Sequence, residues 1–175
     1  QQHDFKTAQE QFERAVSMSP QPHYYNNLGN VLSDLRQWEP AKEAYLAAIR
    51  LKPDFAGAYS NLGNFFSRTG QAEQAMFQFQ KALRLDPNQI DVYLNMGTLF
   101  YDLKRVDKAI ENYRKALELD PKRIEGHTNL GSLFHEQRDL EQAKIHYLKA
   151  LEVNPDYAPA PFNLANLHRE QARLE

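Results

Sequence analysis

The segment "SNLGNFFSRTGQAEQAMFQFQKALRLDP", residues 60 to 87, contains two markers that recur along this chain of 175 residues. Its glycine recurs every 34 residues, at Gly29, Gly63, Gly97 and Gly131, with Ala165 in the fifth place. The proline at its end recurs at the same interval, at Pro53, Pro87, Pro121 and Pro155. Self-similarity at a fixed period is typical of repeat proteins, so this repeat decides the fold.

Each repeat contains two stretches with apolar residues at helical spacing. In the first complete repeat these residues are Leu28, Leu32 and Leu35, then Ala41, Ala44, Tyr45 and Ala48. A polar or glycine-bearing break separates the stretches, and proline ends the second because it cannot continue a helix. The sequence therefore predicts an all-α chain of helix pairs. We expect a partial repeat (its second helix) at 1–21, complete repeats at 22–55, 56–89, 90–123 and 124–157, and a partial repeat (its first helix) at 158–175.

Small residues recur where two helices are expected to cross closely. They are the glycine of the first helix and two alanine columns of the second, which begin at Ala41 and Ala48. A glycine inside a helix costs about 0.5–1 kcal/mol relative to alanine, so its recurrence indicates a steric demand. Large residues at Tyr45 and its equivalents fill the remaining space. One helix pair cannot bury its own apolar face, and neighbouring pairs are expected to stack.

The recurring set Tyr25, Leu28, Gly29, Ala41, Tyr45, Ala48 and Pro53 closely resembles the tetratricopeptide repeat (TPR) family. The resemblance covers essentially the whole chain and implies a right-handed superhelical solenoid of antiparallel helix pairs, whose first helices line a concave groove. The chain departs from the pattern locally. His127 and Pro161 replace the aromatic residue seen at Tyr25, and Ala165 replaces the glycine.

Composition excludes several functions. The formal net charge of -2 gives no basis for nucleic-acid binding, which needs clustered positive charge. No apolar run approaches the roughly 20 residues that span a bilayer, and no targeting segment is recognisable, so we expect no membrane insertion and leave the compartment open. The absence of cysteine excludes thiolate metal sites and disulfides. We expect no cofactor.

Two polar columns follow the first helices on one face. The first is Asn27, Asn61, Asn95, Asn129 and Asn163, and the second is Asn30, Asn64, Thr98, Ser132 and Asn166. An asparagine amide both donates and accepts hydrogen bonds, so it can bind the C=O and N–H of a peptide unit. We therefore predict that these ten residues form a site for an extended polypeptide. The alternative is that the asparagines only connect neighbouring helices within the array.

A closer resemblance favours the binding interpretation. Strings such as "SNLGNFFSRTGQAEQA" are similar to the TPR arm of the O-linked N-acetylglucosamine transferases, which implies a ladder of asparagines that grips extended polypeptide. The chain contains no transferase domain. The same face offers Asp91 and Glu125 where chaperone-binding TPR domains place Lys and Arg, so a neutral or basic segment is the better electrostatic match.

The half-repeats at the two ends suggest a second function. Either the array is cut from a longer one, or an end is simply solvated, or one C-terminal helix packs on the N-terminal helix of another copy. Such a head-to-tail contact gives a filament or a ring of identical subunits. The candidate interface residues are Phe5, Phe12, Leu164, Leu167 and Leu174.

Catalytic chemistry is not expected. The string "HEQRD" at 135–139 begins like a zinc-protease motif, but Asp139 stands where the second histidine is needed. The six histidines are scattered, and His127 is expected to pack in an aromatic slot. We predict no metal site, no catalytic residue and no enzyme activity.

Overall fold

The structure, a computed structural model, describes residues 2–157 and 159–171, and these residues form helices, turns and loops without a strand. The helices are α1 Gln2–Met18, α2 Pro22–Asp34, α3 Trp38–Leu51, α4 Ala56–Arg68, α5 Ala72–Leu85, α6 Ile90–Asp102, α7 Val106–Leu119, α8 Ile124–Glu136, α9 Leu140–Val153 and α10 Pro159–Gln171. Among these described helices, none is both long and apolar enough to cross a bilayer. The all-helical class is confirmed.

The chain divides into two compact units, Gln1–Val92 and Tyr93–Glu175. In the first unit, α2 pairs with α3 and α4 pairs with α5, while α1 packs on α2 and α3 packs on α4. In the second unit, α8 pairs with α9, α7 packs on α8, and α10 packs on both α9 and α8. Each pair is a helix hairpin, as the repeat predicted.

The turn inside each hairpin has the same backbone geometry. One residue adopts a left-handed conformation in every complete repeat: Arg36 (φ 58°), Gly70 (φ 76°), Lys104 (φ 58°) and Arg138 (φ 64°). The N–H of the following residue donates a hydrogen bond to a carbonyl of the first helix, as when Gln71 N–H donates to the Phe66 carbonyl at 2.8 Å. This bond satisfies a carbonyl that the helix end would otherwise leave without a partner. Only one of the four positions is a glycine, so side chains at the other three tolerate a costly conformation.

The hairpins are held together by a glycine that faces an aromatic ring. A Cβ added at Gly63 would lie 2.6 Å from Cδ1 of Phe79, and one at Gly29 would lie 2.6 Å from Cε1 of Tyr45. Gly97 and Gly131 face Tyr113 and Tyr147 in the same way. The alanines of the two recurring columns on the second helices have no exposed surface, and they are Ala41, Ala48, Ala75, Ala82, Ala109, Ala116, Ala143 and Ala150. The recurring small residues therefore set the close approach of each pair.

Gly63→Ala is expected to destabilise the first unit by about 1–3 kcal/mol, because the new methyl group overlaps the fully buried Phe79 ring. Gly57→Ala is the control, since its Cβ would meet only the Phe55 ring at 3.2 Å. It should change stability by less than about 1 kcal/mol. Urea denaturation measures both, and equal changes in the two variants would contradict the steric explanation.

Candidate functional site

The first asparagine column lies on the first helices with its amides open to solvent. Asn27 is exposed, and Asn61, Asn95, Asn129 and Asn163 are partly exposed. Leu28, the neighbour of Asn27, is only 7% exposed, so the column lies beside the core rather than within it. The amides are therefore accessible to a ligand.

Only one member of this column bonds to another helix among the described residues. Asn61 Nδ2 donates to Asn26 Oδ1 at 2.9 Å, which links α4 to α2. Asn61 keeps its carbonyl oxygen and a second N–H for other partners. The amides without a side-chain hydrogen bond within the described part of the chain are those of Asn27, Asn95, Asn129 and Asn163.

The second polar column bonds to the second helix of its own repeat. The Tyr45 hydroxyl donates to Asn30 Oδ1 at 2.9 Å, and burial, followed by the charge of Asp34, raises the pKa of Tyr45 to about 12. The hydroxyl therefore stays protonated at neutral pH. Two further pairs repeat this contact, between Thr98 and Tyr113 at 3.2 Å and between Ser132 and Tyr147 at 3.3 Å.

The two remaining members of the second column differ. Asn64 corresponds to Phe79, which has no hydroxyl, and Asn166 accepts a hydrogen bond from Arg169 Nη2 at 3.2 Å. The residue 15 positions later explains whether the bond forms. It is a tyrosine after Asn30, Thr98 and Ser132, and a phenylalanine after Asn64. This spacing was the sequence signal for an internal role, and sequence analysis missed it.

In the first unit, both columns meet in a polar pocket of about 270 Å³ between α2 and α4. We call it the asparagine pocket, and it is lined by Asn30, Ser33, Asp34, Tyr45, Asn61, Asn64, Phe65 and Arg68. Arg68 is held in place by Ser33 Oγ at 3.2 Å and by Asp34 at 3.6 Å. Its guanidinium also lies over the Trp38 ring, 5.5 Å from the centroid. The pocket therefore presents amides beside a neutralised cation.

In the second unit, the corresponding face carries acidic side chains. Asp102 and Glu136 occupy the positions of Asp34 and Arg68, and both are exposed. The Tyr101 hydroxyl donates to Glu136 Oε1 at 2.5 Å, and this bond raises the pKa of Tyr101. This hydrogen bond fixes the position of the Glu136 side chain.

The proposed assembly residues are only partly on the surface. Phe5 is 37% exposed and Phe12 is partly exposed, whereas Leu164 is 9% exposed and Leu167 has no exposed surface. Both leucines are thus used inside the chain, where α10 packs on α8 and α9. Phe162, at 66% exposed, is a large apolar side chain that α10 presents to solvent. Leu174 lies outside the described residues.

A second pocket, of about 720 Å³, lies among α7, α8 and α9 in the second unit. His127 and His146 line it, with their Nδ1 atoms 3.1 Å apart, and we call it the histidine pocket. Burial, followed by the charges of His127, Lys149 and Arg114, lowers the pKa of His146 to about 4. Within the described residues, no group of three or more His, Asp or Glu side chains is placed to hold a metal ion.

Models of known protein families match most of the chain. Family models described as TPR repeat match residues 29–70, 66–104 and 97–138, and one described as tetratricopeptide repeat matches residues 124–157. No curated protein sequence matches the chain significantly. These matches give no specific support to the likeness to the transferase arm.

Solved structures share the fold over most of the chain. TTC0263, a thermophilic TPR protein of Thermus thermophilus, has a TM-score of 0.79 and 26% identity, over 93% of this chain and 90% of that one. PilF of Pseudomonas aeruginosa has a TM-score of 0.80 and 25% identity, over 87% and 69%. YrrB, described as a TPR protein with an unusual peptide-binding site, has a TM-score of 0.67 and 25% identity, over 92% and 84%.

Asn30→Ala should destabilise the protein more than Asn64→Ala, by about 0.5–1.5 kcal/mol, because only Asn30 accepts a bond from a buried tyrosine. Both changes carry the same gain in helix propensity, so their difference isolates the bond. Chemical denaturation measures the difference. Equal stability of the two variants would show that the tyrosine hydroxyl gains nothing from Asn30.

The contribution of His146 to the free energy of unfolding should decrease as the pH is lowered below about 6.5, the ordinary pKa of histidine. It should level off near pH 4, the pKa of folded His146. The unfolded ring binds a proton in this range and the folded ring does not, so acid favours unfolding. His146→Gln removes the group and places the residue found at the equivalent Gln78. Denaturation at several pH values should show the wild type losing stability relative to this variant on acidification. A constant difference would contradict the assignment.

Proposed function

The chain belongs to the tetratricopeptide repeat family, whose members are generally non-catalytic protein-interaction scaffolds, and we propose that it binds an extended polypeptide segment along its first asparagine column. The observation that carries the proposal is the solvent exposure and hydrogen bonding of the first-column amides. They are solvent-accessible at every repeat, and most have no hydrogen-bond partner within the described residues. A side chain needed only for internal contacts would be expected to use them.

The chemistry of the column suits a peptide backbone. Each free amide offers two N–H donors and one carbonyl acceptor, which matches one peptide unit of a ligand. Packed helices lie roughly 8–10 Å apart, and an extended chain advances roughly 3.3–3.6 Å per residue. Within each unit, successive asparagines would thus meet about every third residue of a bound segment. Because these contacts are to the backbone, they select an extended conformation rather than a particular sequence.

The second column has a different part in this proposal. Asn30, Thr98 and Ser132 already bond to tyrosines of the paired helices. A ligand that leaves these bonds intact can use only the hydrogen-bonding capacity that remains. We therefore assign peptide contact chiefly to the first column, with Asn64 as the member of the second column that a ligand can bind without competition.

Charge restricts the segment that is bound. In the second unit, Asp102 and Glu136 flank the asparagine column, and both are exposed. In the first unit, Arg68 is neutralised by Asp34 at 3.6 Å. A neutral or basic segment is therefore favoured over an acidic one. The charges affect specificity and association rate more than affinity.

Related proteins are consistent with this proposal. YrrB is described as having a peptide-binding site, and this chain shares its fold at 25% identity. The likeness of the asparagine strings to the transferase arm points to the same type of backbone recognition. Both are analogies, and the accessible amides of this chain remain the main support.

End-to-end assembly is the alternative function. The exposed Phe162 of α10 and the partly exposed phenylalanines of α1 are available to a second copy. However, Leu164 and Leu167 are already buried within the chain, which removes two of the apolar side chains that the interface would need. The peptide-binding function is therefore better supported.

The double variant Asn95→Ala/Asn129→Ala should weaken capture of neutral and basic peptides on a peptide array about tenfold or more, since each lost hydrogen bond contributes about 0.5–1.5 kcal/mol. Both residues lie in the second unit and neither has a side-chain partner there among the described residues, so folding should change little. Asn88→Ala is the control, because it makes the same chemical change at an exposed position between α5 and α6. Equal capture by wild type and double variant would refute the proposal.

A further inference from the structure

The histidine pocket lies where one aromatic residue of the repeat is replaced by histidine. In the second repeat, the Tyr59 hydroxyl donates to the Pro53 carbonyl at 3.2 Å, and the adjoining pocket has only about 230 Å³. In the fourth repeat, the equivalent residue is His127, whose Nε2 bonds to the Pro121 carbonyl at 3.0 Å. The histidine keeps the anchoring bond but fills less space. The pocket at this position is about 720 Å³, which is within the usual range for small-molecule sites.

The hydrogen bonds determine how the two histidines are protonated. A carbonyl can only accept, so His127 Nε2 carries the proton that bonds to Pro121. In a neutral ring, His127 Nδ1 is then an acceptor, and His146 Nδ1 must be the donor across the 3.1 Å contact. His146 Nε2 is left as an acceptor. The pair therefore gives the pocket an ordered polar wall.

The mouth of the pocket is positively charged. Arg114, Lys122 and Lys149 are exposed residues of its lining, and Glu118 and Glu152 are its carboxylates. Glu118 is already paired with Lys115 at 2.7 Å, outside the lining. The cations therefore prevail near the histidines.

The pocket also has an apolar part. Leu117 is partly exposed and Val153 is 38% exposed, and both belong to its lining. A ligand with an apolar body could cover these side chains and place one acid group among the cations. His127 and Asn129 are two residues apart on α8 and point to different sides of the helix, so this pocket is separate from the asparagine columns.

We propose that the histidine pocket binds a small amphipathic anion, with an aromatic or aliphatic body on Leu117 and Val153 and one carboxylate or sulfonate group bound by Arg114 and Lys149. The size of the pocket favours a free small molecule, and its charge excludes a cationic one. This site is independent of the proposed peptide-binding function.

The test compares two fluorescent probes of almost the same shape: 8-anilino-1-naphthalenesulfonate, which is an anion, and N-phenyl-1-naphthylamine, which lacks the sulfonate. The wild-type protein at neutral pH should bind the anion about tenfold more tightly than the neutral probe, because the acid group gains charge-assisted hydrogen bonds. Equal affinities would overturn the proposal.

Two variants locate the site. His127→Tyr/His146→Gln recreates the pair Tyr59 and Gln78 of the second repeat, which fills the pocket and should abolish binding of both probes. Arg114→Gln/Lys149→Gln should remove the preference for the anion and leave binding of the neutral probe. Unchanged binding of the anion by either variant would overturn the proposal.

A matched control excludes a general effect of surface charge. Lys81→Gln alters the residue equivalent to Lys149 in the second repeat, and it should leave both affinities as in the wild type. A loss of anion binding in this control equal to that of the charge variant would overturn the assignment to the histidine pocket. Circular dichroism monitors folding, and if the filled variant fails to fold, the charge variant still decides.

Discussion

The contact between a helical glycine and an aromatic ring is the constraint on which each hairpin depends. The ring lies so close that a Cβ added at Gly29 or Gly63 would be only 2.6 Å from a ring atom. Protein interiors are close-packed, so this distance fixes how near the two helices lie. The same ring extends past the glycine, and in three repeats its hydroxyl bonds to the second polar column. Packing and the polar face are therefore linked through one side chain.

This link explains what the sequence could predict. The period of the glycines, alanines and prolines was enough for the helix pairs, because each marker reflects a steric demand that recurs at every repeat. The role of Asn30 was not predicted. Its spacing of 15 residues to Tyr45 is visible in the sequence, but spacing alone does not distinguish an amide that meets a tyrosine from one that meets a ligand. The difference depends on the direction of the tyrosine hydroxyl. That direction follows from helix packing and not from the spacing of the asparagines alone.

The turns show a second limit of sequence reasoning. Gly70 is the expected residue for a left-handed position, but Arg36, Lys104 and Arg138 adopt the same conformation. Such a conformation costs roughly 1–2 kcal/mol for a residue with a side chain. The bond from the following amide to the helix and the packing of the hairpin offset this cost. Local propensity gave no signal at these three turns because tertiary structure determines them.

The histidine pocket illustrates how a repeat can change without losing its fold. His127 preserves the bond to the proline carbonyl that Tyr59 makes, so the loop before the helix is held in the same way. What changes is the volume of the pocket beside the ring and the polarity of the pocket wall. Sequence analysis placed His127 in an aromatic slot, but the space that it leaves depends on the side chains of α7 and α9. The hydrogen bond to the proline carbonyl and the side-chain volume that determines the pocket size are separate properties of one residue. A regular array therefore allows a new site at one repeat.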